Sequence, residues 1–170
     1  ISYNRLREWK KSCSYTTYAI DSGGFTELNM HGRWTIKPGT YASQVRWWYD
    51  TLPGFQWAAI QDWMCEPFIL EKTGLTVVDH QRHTINSYLQ LLKLQPNVPW
   101  LPILQGYKPC DYISHVRQYE NAGIDLTSLP IVGIGSICRR QHEDVNEATA
   151  IIKELYSHGI KLHAFGFKKT

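Results

Sequence analysis

Four short motifs in this chain carry residues suited to chemistry, and each follows a short apolar run. They are Asp21-Ser22-Gly23-Gly24-Phe25, Gln61-Asp62-Trp63-Met64-Cys65-Glu66-Pro67, Leu104-Gln105-Gly106 and Val132-Gly133-Ile134-Gly135-Ser136. A carboxylate accepts hydrogen bonds and can hold or release a proton, an amide both donates and accepts, and glycine lets backbone approach a ligand closely. Each motif also has a plainer reading. Asp21 with Gly23-Gly24 suits a tight turn. Asp62 comes after four apolar or aromatic positions, so it is either a helix cap or a ligand-binding carboxylate, and if buried it needs a partner. Gly133-x-Gly135 resembles a phosphate-binding loop, yet no lysine follows at the spacing such loops use. Arg139-Arg140 reads as a solvated pair or as a phosphate clamp. His80 and His83 stand three apart without a third ligand, and Cys13, Cys65, Cys110 and Cys138 form no C-x-x-C pair, so no metal is expected. Free thiols suit a reducing compartment, and a cytoplasmic location is expected.

The elements that must position these residues alternate. Apolar runs at Thr17–Ile20, Trp57–Gln61, Trp100–Leu104, Ile131–Ile134 and Lys161–Phe165 have the shortness and the β-branched or aromatic content of buried strands. Between them, Thr40–Leu52, Val77–Leu94, Asp111–Ala122 and Glu143–His158 carry apolar residues at helical spacing, and Ser2–Lys11 is a further short helix. Thr40 is the expected cap of the first of these, and Pro53-Gly54 its stop. Ser22–Gly39 and Trp63–Thr76 are expected to be irregular. Such alternation predicts an α/β fold with a parallel sheet and helical crossovers. An open doubly wound sheet would be complete at this length, whereas a (β/α)8 barrel of about 250 residues would be represented by about five βα units. In both architectures working residues gather beyond the carboxyl ends of the strands, where all four motifs fall.

Composition limits the function classes. Of 170 residues, 43% are hydrophobic, which excludes a disordered chain, and a formal charge of +3 is too small to argue nucleic-acid binding by charge alone. No apolar run approaches the roughly 18–20 residues of a membrane span, so no membrane partner is expected. Residues 1–170 are expected to form a single domain. The first residue is Ile1 rather than Met, so the natural start is expected upstream.

The four motifs, in this order, resemble the tRNA-guanine transglycosylase superfamily of (β/α)8 barrels. Gln61–Pro67 and Gly135-Ser136-Ile137-Cys138-Arg139-Arg140-Gln141 are more similar to its DNA-acting branch, the deoxypurine-in-DNA protein A family. The resemblance runs from Tyr18 to Lys168. It implies exchange of guanine in DNA for a 7-deazaguanine base such as 7-cyano-7-deazaguanine, with no cofactor. By the same resemblance Asp62 reads the guanine edge, Gln105 with Gly106 helps hold the base, and the Gly133–Gly135 turn offers backbone N–H to the base oxygen. Asp21 is the catalytic carboxylate near the sugar, Ser22 lies beside it, and Phe25 or an aromatic close by stacks on the base. The family's covalent nucleophile is an aspartate of a later strand, and the zinc site of the tRNA enzymes also lies further on. Residues 1–170 are therefore expected to be an incomplete barrel, either a fragment or a degenerate relative, and inactive alone. The competing functions are a tRNA-directed transglycosylase and a non-catalytic module that binds guanine or nucleic acid.

Overall fold

A computed structural model describes residues 1–8, 17–137 and 145–166. Among these, helices α1 (Tyr3–Arg7), α2 (Gly24–His31), α3 (Pro38–Thr51), α4 (Pro67–Thr73), α5 (Val77–Leu94), α6 (Pro109–Asn121) and α7 (Val145–Ser157) alternate with short strands. The strands are β1 (Tyr18–Ile20), β2 (Phe55–Ala59), β3 (Trp100–Leu101), β4 (Ile103–Leu104), β5 (Val132–Ile134) and β6 (Leu162–Ala164). The fold is mixed α/β, as expected, and every strand pairing is parallel.

The strands form two sheets, β1-β2-β3 and β4-β5-β6. Only Pro102 separates β3 from β4, so the expected strand Trp100–Leu104 is interrupted there. Proline has no N–H to give a ladder, but its carbonyl accepts the Gly133 N–H at 2.8 Å and carries the connection onward. Strand order thus follows chain order from β1 to β6. The crossover helices follow one another too, with α3 touching α5, α5 touching α6 and α6 touching α7. Helices that meet in succession lie on one face of a sheet. A doubly wound sheet needs helices on both faces and a reversal of strand order, and neither is seen among the described residues. A closed barrel is not seen among them either. The sheet does curl toward its other face, where Trp57 of β2 meets His163 of β6 at 4.8 Å between ring centroids and Phe165 at 5.9 Å. In a flat sheet those strands would stand three spacings apart, roughly 14 Å.

The helices begin and end for local reasons. Prolines open α3, α4 and α6, where the missing N–H costs nothing. The expected Thr40 cap of α3 is displaced by this effect to Lys37, ahead of Pro38. Thr76 and Asp79 form a reciprocal capping box at the start of α5. Ile85, Tyr88 and Leu91 form the buried stripe of α5, as Ala148, Ile151 and Leu155 do in α7. Two stretches expected to be irregular contain helices, α2 and α4. Both are short, and both stop at a left-handed glycine, Gly32 (φ 62°) and Gly74 (φ 69°). With so few turns neither repeats an apolar stripe long enough to stand out in the sequence. The second strand lies two residues earlier than expected because Phe55 pairs with Tyr18, while the chain beyond Ala59 folds into a tight turn with Asp62 N–H on the Ile60 carbonyl, 2.9 Å.

Gly133 marks close packing on the concave face. A Cβ there would sit 2.7 Å from the Phe165 ring and 3.0 Å from the Ile103 side chain. Gly133→Ala is expected to destabilise the fold by about 1–3 kcal/mol through overpacking, read as a lower midpoint in urea denaturation.

Candidate functional site

The segment from Ile60 to Glu66 leaves β2 and stays buried, with only Trp63 half-buried. A buried irregular segment must find partners for its backbone groups one by one. Side chains from around the fold supply them. Tyr41 Oη donates to the Ala59 carbonyl at 2.7 Å. Trp34 Nε1 donates to the Asp62 carbonyl at 3.1 Å. Thr84 Oγ1 accepts the Trp63 N–H at 2.9 Å. His80 Nδ1 lies 2.6 Å from the Met64 carbonyl, and Ser136 Oγ accepts the Cys65 N–H at 2.8 Å.

At the centre of this segment stands the Asp62 side chain, 8% exposed. Ser22 Oγ donates to Oδ1 at 3.1 Å, and the Gln105 carboxamide nitrogen donates to Oδ2. Burial, helped by the nearby charge of Asp21, raises the Asp62 pKa to about 7, against the opposing pull of these two donors. Gln105 is itself fully buried and held at both ends of its backbone. Its N–H goes to His115 Nδ1 at 2.9 Å, and its carbonyl accepts from Gln81 Nε2 at 2.7 Å. Burial lowers the His115 pKa to about 3, so the imidazole is neutral and free to accept. The Gln105 Oε1 end faces Ser136 Oγ at 2.7 Å.

A cavity of about 210 Å3 opens over this cluster. Asp21, Ser22, Phe25, Asp62, Gln105 and Gly135 all line it, together with Ser136, Phe165 and Gly166. These residues follow β1, β2, β4, β5 and β6 at their carboxyl ends. The volume is smaller than the roughly 300–1,000 Å3 of pockets for drug-sized ligands and suits one planar ring system. Asp21 is exposed at the rim. Its Oδ1 accepts the Gly23 N–H at 2.8 Å, so the turn reading of this motif also describes part of its geometry. Asp62 is not a helix cap, since Glu66 stands at the N-cap position of α4. Phe25 is 43% exposed and meets Phe68 edge-on.

Gly106 and Gly133 do not line the cavity. A Cβ on Gly106 would sit 2.8 Å from Asp111 Cβ and 3.0 Å from Tyr112, so both glycines make room for protein packing. Gly135 does line it, and a Cβ there would fall on the Gln105 carboxamide. Gly24 plays a similar part, where a Cβ would come within 3.2 Å of both Asp62 Oδ1 and Trp34. Arg139 and Arg140 lie outside the described residues, as do Cys13 and Cys138. His80 and His83 flank Trp63, His83 stacking on it at 4.6 Å. The Cys65 thiol is buried, and its pKa is raised by that burial and by the charge of Glu66. Reading the sequence missed Trp34, Tyr41, Thr84 and His115 as supports of the site. Nothing near them in sequence signals it, because the bonds span from 10 to 28 positions.

The family profile of DeoxyPurine in DNA protein A (DpdA) matches residues 1–170. The chain belongs to the DpdA family. No curated protein and no solved structure matches it. DpdA membership links the chain to deoxypurine modification in DNA, the work of a transferase-like enzyme with DNA as its partner. No helix among the described residues is long and apolar enough to cross a membrane.

Burial of Asp62 predicts a stability signature. The folded state holds the Asp62 proton up to about pH 7, and the unfolded chain releases it near pH 4. Between those values the folded state binds the extra proton, so this group's contribution to stability is greatest below about pH 4 and declines as pH rises through about 7. Subtracting the urea stability of Asp62→Asn from that of the wild type should yield a difference that falls over this window and is flat above it.

Proposed function

We propose that this chain forms the base-recognition part of a guanine transglycosylase that replaces guanine in DNA by a 7-deazaguanine such as 7-cyano-7-deazaguanine. The observation that carries the reading is Asp62, a buried carboxylate on the floor of a cavity of single-base size. Guanine presents N1–H and N2–H2 as adjacent donors, and one carboxylate accepts both. Ser22 and Gln105 each occupy one side of an Asp62 oxygen and leave the other lone pairs for a ligand. Gln105 acts here chiefly by orienting Asp62. The backbone donors expected from the Gly133–Gly135 turn are taken up inside the fold, Gly133 N–H by the Pro102 carbonyl at 2.8 Å and Gly135 N–H by the Leu104 carbonyl at 3.0 Å, while the Gly135 carbonyl accepts from Tyr112 Oη at 2.9 Å. In this reading the exposed ring of Phe25 stacks on the base.

Base exchange at a glycosidic carbon passes through an oxocarbenium-like state. Asp21, exposed at the rim, is placed in this reading beside the reacting sugar, and the covalent nucleophile is an aspartate of a strand after His163–Gly166. We read residues 1–170 as one domain and the curled parallel sheet as part of a (β/α)8 barrel. Chain-order strands and helices on one face support that frame. Membership in DpdA favours DNA over tRNA.

Two outcomes test this on the full-length protein. Calorimetry with 7-cyano-7-deazaguanine should show Asp62→Asn weakening binding by about tenfold to a hundredfold, since a hydrogen bond to a charged group is worth about 1.5–3 kcal/mol. Wild-type affinity should rise as pH passes through about 7, because the anion is the accepting form. Unchanged affinity in the variant would contradict the reading. In DNA the target base must leave the stack to reach the cavity, which costs a few kcal/mol in a paired duplex. Exchange should therefore be faster at a mismatched or single-stranded guanine, measured by incorporation of labelled base. Equal rates on all three substrates, with chemistry rate-limiting, would count against this entry route.

A further inference from the structure

Ser136 is the non-glycine residue with positive φ, 54°, among the described residues. Such a conformation is costly and persists where the surroundings demand it. It brings Ser136 Oγ into the middle of the site. The oxygen accepts the Cys65 N–H at 2.8 Å and lies 2.7 Å from Gln105 Oε1 and 2.8 Å from Glu66 Oε2. The hydroxyl has one proton for these two acceptors.

We infer that Ser136 is a positioning residue that sets which end of the Gln105 carboxamide faces Asp62, and thereby the selectivity for bases with a donor pair. The inference rests on the base-recognition reading above. A carboxamide has one accepting and one donating end. When Ser136 gives its proton to Gln105 Oε1, the nitrogen must face Asp62, where it donates to the anion. Without the hydroxyl, Oε1 loses its donor among the described residues, and only the bond from the Gln105 nitrogen to Asp62 still favours that orientation. The turned amide sets Oε1 against Asp62 Oδ2, an arrangement satisfied only when Asp62 carries a proton between them. A protonated Asp62 has spent one acceptor, and a base with both N1–H and N2–H2 no longer finds two. Gly135 makes the choice possible, because a Cβ there would occupy the place of the amide.

The test compares two ligands on the full-length protein by calorimetry: 7-cyano-7-deazaguanine and its analogue without the 2-amino group. Ser136→Gly removes the hydroxyl and is at ease at this φ, which offsets part of the cost of leaving the Cys65 N–H unpaired, so a single cooperative thermal transition marks a folded variant. Ser136→Ala, which keeps a side chain there, serves as a second variant. The wild type should prefer the 2-amino base, and both variants should lose about tenfold of that preference, the worth of one hydrogen bond. A preference kept at the wild-type ratio overturns the inference while leaving base recognition intact. Equal weakening toward both ligands also overturns it, since that reports only a looser site. A wild type that binds neither ligand, or does not distinguish them, overturns the base-recognition reading and this inference with it.

Discussion

A buried carboxylate in a buried loop is the constraint around which this fold is arranged. Taking Asp62 out of water opposes its charge, and the cost falls only if donors meet both oxygens. Ser22, from the turn after β1, and Gln105, from the end of β4, do so. Ser22 follows β1, which pairs with β2, and Gln105 follows β4, which continues β3 past Pro102, so the parallel order of the strands is what brings both donors to the same carboxylate. The loop that holds Asp62 has the same requirement for its backbone, and Trp34, Tyr41, His80, Thr84 and Ser136 meet it. Few of these bonds are strong alone in net terms, but leaving any of them unmade in a dry site costs about 1–3 kcal/mol.

The cavity follows from that arrangement. Glycine at positions 24 and 135 lets Asp62 and Gln105 occupy space that a Cβ would fill. Apolar walls from Ala59, Ile103, Met64 and Phe165 exclude water beside a group whose charge is poised near neutrality. Two carboxylates share the cavity in unlike settings, Asp62 buried and Asp21 exposed at the rim. Unlike settings let chemically identical groups take different parts.

Much of this was legible in the sequence. The alternation of short apolar runs with helical stripes specifies parallel βα units, and the polarity of such units places Asp21, Asp62, Gln105 and Gly135 at one end of the sheet before any coordinates are known. The helix α7 is long enough for its stripe of Ala148, Ile151 and Leu155 to declare it, and α5 is declared by its length, though its buried stripe runs through Ile85, Tyr88 and Leu91 and leaves Leu89 exposed, whereas α2 and α4 are too short. Motif resemblance led to the DpdA family, which the family profile bears out.

Tertiary structure decided what depends on contacts far apart in the chain. That Asp62 is a buried carboxylate and not the cap of α4 is settled by Glu66 standing at the N-cap position and by donors 40 and 43 positions away. Gly106 and Gly133 share a residue type with Gly135, yet only packing distinguishes room made for Tyr112 or Phe165 from room made for the site. Ser136 is one serine among many in the sequence. Its positive φ and its reach to Glu66, 70 positions away, exist only once β2 and β5 are assembled. Residue type and local spacing determine which elements form and which end of each strand bears polar groups. Which of those groups meet, and which lose their water, is determined by how the elements pack.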